Sequence, residues 1–258
     1  ETKTARFAIS MKTSVYYVKS GAQNGDGFIA SPYGTIQEAI SEIESKQTKK
    51  AYIYLMDDIE VPATITIPQD TSITFETTDF TINQVYPGLT TNTYYFQNPP
   101  TPYPATDNGN RNRKTIKRGA SLTTGPIFDV SNSGSSVTIG DVTLDGQGID
   151  AQAPLIKAST GTVSIRKDAI LQNNKVTTDG TASAIDLSGS ASLDMNYGTI
   201  TGNTSKDGSA VKFASSGDFT VGNTVNIFDN KDAGNKQANV FLATGKVITT
   251  KNHLGDSK

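Results

Sequence analysis

The sequence predicts an all-β solenoid, a parallel β-helix wound from three-strand coils of about 28 residues. Three observations predict it. Apolar residues alternate with a period of two over short segments, and a single segment has helical spacing. The second half of the chain repeats itself at intervals of 26 to 30 residues. Thr occurs 35 times in 258 residues, a usage that favours strands over helices.

The elements follow in order. Pro32 and Gly34 mark a turn, and Ile36, Ala39, Ile40 and Ile43 then fall on one face of a helix over residues 35–46. Thr35 and Glu38 have the spacing of a capping box, in which each side chain satisfies the other residue's backbone N–H. Next come strand pairs of residues at period two: Ile53 and Leu55, Ile59 and Val61, Ile65 and Ile67, Ile73 and Phe75, Phe80 and Ile82. Polar corners such as Met56-Asp57-Asp58 and Pro68-Gln69-Asp70 separate them. In the second half Ile127, Leu155, Ile185, Val211 and Val240 read as equivalent anchors, separated by 28, 30, 26 and 29 residues. A second strand follows each anchor (Val137/Ile139, Val163/Ile165, Leu193/Met195, Phe219/Val221 and a weaker one at Val247). A third strand carries Leu144, Leu171, Ile200 and Ile227. Asn173-Asn174, Gly202-Asn203 and Asp229-Asn230 close those third strands, and their amides are expected to stack in a structural column. A unit of this size cannot bury its apolar residues alone, so the units must stack. The open end of a β-helix exposes unpaired strand edges, which makes the 35–46 helix the expected N-terminal lid.

The chain is read as a single domain, 1–258. Residues 1–50 are the lead-in and capping helix, 51–83 the first coils, 84–118 an insertion and 119–258 the regular coils. The insertion breaks the pattern. It holds Tyr86, Tyr94, Tyr95, Phe96, Tyr103 and five Pro, then turns basic with Arg111, Arg113, Lys114, Lys117 and Arg118. A stretch of this length without its own period, inside a repetitive domain, marks a functional or disordered loop.

Composition excludes several classes. The net charge is −2 (23 basic against 25 acidic residues), so the broad basic footprint of a nucleic-acid binder is absent. No apolar run is long enough for a transmembrane helix, so no membrane insertion is expected. There is no Cys, which removes disulfides, thiol nucleophiles and thiolate metal sites. The one His, His253, leaves no histidine-based acid–base or metal chemistry. No cofactor is expected. Glu1 begins no charged-then-apolar leader, so the chain is read as a mature fragment or an excised piece.

Two stretches carry a resemblance. Tyr16-Tyr17-Val18-Lys19-Ser20-Gly21, Gly25-Asp26-Gly27 and Ser31-Pro32-Tyr33-Gly34-Thr35-Ile36-Gln37-Glu38-Ala39-Ile40 resemble the opening of pectate-lyase-like right-handed β-helices. Val137-Thr138-Ile139-Gly140-Asp141-Val142-Thr143-Leu144-Asp145-Gly146 is similar to a motif of pectate-lyase-like adhesive domains in Gram-positive surface proteins. The Asn-tailed Gly198-Thr199-Ile200-Thr201-Gly202-Asn203 is similar to coils of the same proteins. The resemblance spans about residues 14 to 250. It implies an all-β, right-handed parallel β-helix and an extracellular, wall-attached adhesin module within a longer surface protein. No sorting motif stands at Lys258, so the anchor is expected outside this fragment.

Three functions compete on this fold. Hydrolases need paired carboxylates on adjacent coils, and lyases need carboxylates for Ca²⁺ with an Arg or Lys base. The candidate carboxylates are Asp57/Asp58, Asp141/Asp145/Asp150, Asp168 and Asp229, and Arg166 is a candidate base. Asp57-Asp58 reads as turn chemistry. Asp145-Gly146-Gln147-Gly148-Ile149-Asp150 could be a Ca²⁺ loop or a plain turn, and the turn is the simpler reading. The second function, a passive spacer, has no need for the insertion. The third, preferred here, is non-catalytic adhesion to a host surface glycan or glycoprotein. Tyr94, Tyr95, Phe96 and Tyr103 would offer rings for sugar stacking, while Arg111, Arg113 and Lys114 would pair with carboxylate or sulfate groups.

Overall fold

The computed structural model describes residues 14–78, 113–166 and 168–254. Phe80, Ile82 and most of the 84–118 insertion lie outside them. The chain is a right-handed parallel β-helix. β1 (Ser14–Val18) and α1 (Ile36–Ser45) precede the first full turn. That turn is β2 (Lys50–Leu55), β3 (Ile59–Val61) and β4 (Ile65–Thr66). The next is β5 (Ser72–Thr77), β6 (Lys114–Arg118) and β7 (Phe128–Val130). Each later turn gains a two-residue strand. The third is β8 (Ser136–Ile139), β9 (Val142–Asp145), β10 (Asp150–Ala151) and β11 (Ile156–Ala158). The fourth is β12 (Thr162–Ile165), β13 (Ile170–Gln172), β14 (Lys175–Val176) and β15 (Ile185–Leu187). The fifth is β16 (Ser192–Met195), β17 (Gly198–Thr201), β18 (Thr204–Ser205) and β19 (Val211–Phe213). The sixth is β20 (Phe219–Asn223), β21 (Val225–Phe228), β22 (Lys231–Asp232) and β23 (Val240–Leu242). β24 (Ile248–Leu254) opens a seventh.

Corresponding strands stack into parallel sheets: one of eight strands, two of six and one of four. The four-stranded sheet (β10, β14, β18, β22) was not expected, because two residues cannot display a period. Interior files run through each sheet. In the eight-stranded sheet Ile53, Phe75, Ile139, Ile165 and Met195 are in register, all fully buried. In one six-stranded sheet Ile59, Ile116, Leu144, Leu171, Ile200 and Ile227 are in register. Each buried aliphatic side chain contributes about 1.5–3 kcal/mol.

The anchors need one correction. The file of the other six-stranded sheet is Ile65, Phe128, Ile156, Ile185, Val211 and Val240. Leu155 and Ile127 sit one residue earlier, in a neighbouring buried position shared with Ala184 and Ala210. Consecutive residues both point inward at this corner, and that doublet concealed the register. Likewise Ile248, not Val247, pairs with Phe219 in the last coil, and Val247 is exposed.

The lid forms as expected. The Thr35 hydroxyl accepts from the Glu38 N–H at 3.2 Å, and the Glu38 carboxylate accepts from the Thr35 N–H at 3.0 Å and the Gly34 N–H at 2.8 Å. Ile36, Ala39, Ile40 and Ile43 are buried, and α1 packs on β1, β2 and β4.

The Asn column is also present. Asn174, Asn203 and Asn230 are buried at 1% exposure or less. The Asn174 N–H donates to Asn203 Oδ1 at 3.1 Å, and the Asn203 N–H to Asn230 Oδ1 at 3.1 Å. Asn203 Nδ2 donates to Asn230 Oδ1 at 2.9 Å and to the Leu171 and Thr201 carbonyls at 3.0 Å. The residue before each inward Asn has positive φ (Asn173 54°, Gly202 66°, Asp229 53°), a conformation open to Asn, Asp and Gly.

Arg118 ends this column. It is fully buried, and its Nε donates to Asn174 Oδ1 at 3.0 Å. Nη1 donates to the Leu122 and Gly125 carbonyls, both at 2.7 Å. Nη2 donates to the carbonyls of Ala153 at 3.2 Å and Pro154 at 2.7 Å. Burial pushes its pKa down to about 10, so it stays charged at neutral pH.

Candidate functional site

Every coil but one crosses from the eight-stranded sheet to the Ile59–Ile227 sheet by a short corner. The exception lies between β5 and β6, where residues 78–113 intervene. The two ends of that segment are fastened together. The Thr77 hydroxyl accepts from the Lys114 N–H at 2.9 Å and donates to the Asp141 carbonyl. Arg113 Nε donates to Asp141 Oδ1 at 3.0 Å, and the Asp141 side chain is only 4% exposed. The Asp141 N–H in turn donates to Glu76 Oε2 at 2.9 Å. Glu76 can lie there because its next neighbour in the file is Gly140, where a Cβ would meet the carboxylate at 2.3 Å.

Of the residues expected to contact ligand, Tyr94, Tyr95, Phe96, Tyr103 and Arg111 lie outside the described residues. Arg113 and Lys114 are described, and both stand at this neck. Arg113 is committed to Asp141. Lys114 opens β6, with its backbone held by Thr77 and its side chain half-exposed. The insertion therefore ends at Arg113, and 114–118 belong to the solenoid. The described basic residues 113–118 do not form one solvated patch. Alternation about buried Ile116 sends Arg118 inward, and Lys117 Nζ pairs with Asp58 Oδ2 at 2.8 Å.

Beside the neck, on the outward face of the first coils, stands an aromatic group that the sequence reading passed over. Tyr17 and Tyr54 are in register, their ring centroids 5.6 Å apart and 23° from parallel. Tyr52 lies 6.4 Å from Tyr54, and Lys50 Nζ lies 5.7 Å from the Tyr52 centroid. Burial and then the nearby Glu76 carboxylate push the Tyr54 hydroxyl pKa upward. The signal was available: Tyr52-Ile53-Tyr54-Leu55 alternates, so burying Ile53 and Leu55 puts both Tyr rings outside.

Three of the outward carboxylates, Asp145, Asp194 and Asp58, are engaged by neighbouring side chains or backbone. Asp145 Oδ1 accepts from the Gln147 N–H at 2.6 Å, and Oδ2 accepts from Gln172 at 2.8 Å and Asn173 at 3.2 Å, so the 145–150 segment is a hydrogen-bonded turn. Asp194 is bridged by Arg166 at 3.0 Å and Lys251 at 3.2 Å. Burial opposes its ionisation, but the Lys251 hydrogen bond, the Arg166 charge and the Thr220 hydroxyl outweigh that and hold its pKa below the usual range. At Asp58 burial is again outweighed, here by hydrogen bonds from Lys117 and the Thr115 N–H. Among the described residues no group of three or more His, Cys, Asp or Glu side chains could hold a metal ion.

Comparison with known proteins returns no match: no family model, no curated protein and no solved structure aligns with the chain.

Proposed function

We propose that this chain is a non-catalytic adhesive module of a bacterial surface protein, acting outside the cell and binding a host glycan or glycoprotein through the segment between β5 and β6. The observation that carries the reading is the neck. The solenoid diverts its winding once, and Thr77, Arg113 and Asp141 clamp the two ends of the diversion. The diverted sequence is rich in Tyr, Pro and basic residues, with the Tyr17–Tyr52–Tyr54 group next to its base. A rigid base reduces the ordering cost of ligand capture, and tyrosines supply contact area with a polar tip. The likeness to pectate-lyase-like adhesive domains supports the surface location.

The test replaces residues 86–111 by a short Gly/Ser link and keeps Arg113, so that the clamp survives. With the circular dichroism spectrum and Tm unchanged, binding to host cells or an immobilised glycan array should be lost. Undiminished binding by the folded deletion variant sinks the assignment.

A further inference from the structure

The outward face of the six-stranded sheet β4, β7, β11, β15, β19 and β23 carries a ladder of alternating charge. Strand pairing sets Thr66, Asp129, Lys157, Asp186, Lys212 and Phe241 in one file, one residue per coil. Their direction is fixed by alternation, because Phe128 and Val130, Ile156 and Ala158, Ile185 and Leu187, and Val211 and Phe213 on either side of the charges fill the interior. Successive rungs stand about 4.8 Å apart. Around a turn this sheet lies between the four-stranded corner and the eight-stranded sheet, and the β5–β6 segment leaves the solenoid at the opposite corner.

No ion pair engages any of the four charges among the described residues. Asp186 Oδ2 accepts from the Ala182 N–H at 3.3 Å, and Lys212 Nζ donates to the Gly180 carbonyl at 2.6 Å. Lys157 is exposed, and Asp129 Oδ1 is withdrawn from water without a hydrogen-bond partner. Buried polar atoms normally have one. Two positions after each rung stand Ser131, Ser159, Ser188, Ala214 and Ala243, all small and uncharged, so nothing beside the ladder competes with it or holds a second surface away.

We infer that this face docks on the same face of a second copy of the chain, the two solenoids running antiparallel. A two-fold axis lying along the strands, between β11 and β15, turns the ladder end for end against itself. Asp129 then faces Lys212 of the second copy, Lys157 faces its Asp186, and the exposed Phe241 ring covers its Thr66, so every rung of the sheet is matched. Charge complementarity selects this arrangement over its neighbours. Sliding one copy by a coil in either direction opposes Asp to Asp and Lys to Lys, and an axis along the solenoid sets each charge against itself. Opposite signs also follow one another along each ladder, so the pairs across the contact join one network, where an isolated surface pair would contribute little. The matched face is about 24 Å along the axis and about 17 Å across, about 800 Å² for both copies, which suits a weak, salt-sensitive dimer. The contact is independent of the ligand-binding reading of the β5–β6 segment.

The test is sedimentation equilibrium on the full chain. At about 50 mM salt it should form reversible dimers with a Kd below about 1 mM, and about 0.5 M salt should weaken them at least tenfold. Lys157→Glu and Asp186→Lys each set like charges face to face twice, so each variant alone should be monomeric with an unchanged circular dichroism spectrum. An equimolar mixture of the two should dimerise again, because every Asp and Glu of one copy then faces a Lys of the other. The 86–111 replacement should dimerise as the parent does. A parent that stays monomeric at about 1 mM in low salt, dimers indifferent to salt or to either reversal, or a mixture that stays monomeric overturns the inference. Dimers lost in the 86–111 replacement overturn it as well, by moving the contact to that segment.

Discussion

Arg118→Met tests how a lone buried cation can hold the solenoid together. The guanidinium makes five hydrogen bonds to neutral acceptors on three successive turns. Bonds to a charged group contribute about 1.5–3 kcal/mol each, so the low end of the range is about 8 kcal/mol for the set. Against this stands dehydration of the charge. A pKa pushed down to about 10 corresponds to about 3 kcal/mol of unfavourable burial. Methionine relieves that cost but strands the carbonyls of Leu122, Gly125 and Pro154, which have no other hydrogen bond among the described residues. The net loss should be about 3–5 kcal/mol, and with an m of about 3 kcal/mol/M the urea midpoint should fall by about 1–2 M. Arg118→Lys, with three donors for five acceptors, should lose about half as much. A Met variant within 0.3 M (about 1 kcal/mol) of the parent, or above it, would falsify the reasoning, showing that the bonds only repay dehydration.

Three further outcomes follow from the same physics. Asn203→Ala removes four hydrogen bonds from the middle of the column and should cost about 3 kcal/mol in urea unfolding; an unchanged midpoint would show that the column is ornamental. Gly146→Ala would set a Cβ 2.3 Å from the Asn174 Cα, backbone that cannot swing aside, and should lower stability by about 1–3 kcal/mol or more; calorimetry showing an unshifted Tm contradicts it. Asp194 and Asp58 have folded-state pKa values below their unfolded ones, so the stability they supply is complete above the unfolded value and is lost as pH falls through the folded value. Denaturation midpoints should therefore drop on acidification below about pH 4, and Asp194→Asn should flatten that slope; an equally steep slope in the variant refutes the assignment.

Much of this fold was legible because one signal, alternation, governs nearly every strand. Ile53, Phe75, Leu144, Leu171 and Ile200 were found from it, and Thr35 with Glu38 fixed the start of the lid. The misreadings share a cause: local patterns that compete with alternation. Leu155-Ile156 and its equivalents place two apolar residues side by side, so either could begin the strand. Arg118 follows Lys117 and reads as solvated charge, although its spacing from Ile116 points it inward. Tyr52 and Tyr54 follow from the same spacing, since burying Ile53 and Leu55 turns both rings outward. The neck could not be read at all. Thr77, Arg113 and Asp141 come from separate coils, and only the register of β5, β6 and β9 brings them together.

The two poles of the solenoid are finished differently. At one, a capped helix seals the first coils. At the other, β21, β22, β23 and β24 each have a neighbour on one side only among the described residues, with Phe241, Val247 and Ile248 exposed. In a stack whose turns touch only their neighbours, disorder enters where a turn has the fewest contacts and spreads inward. Amide exchange in these 258 residues should accordingly be faster at Thr250 than at Ile53.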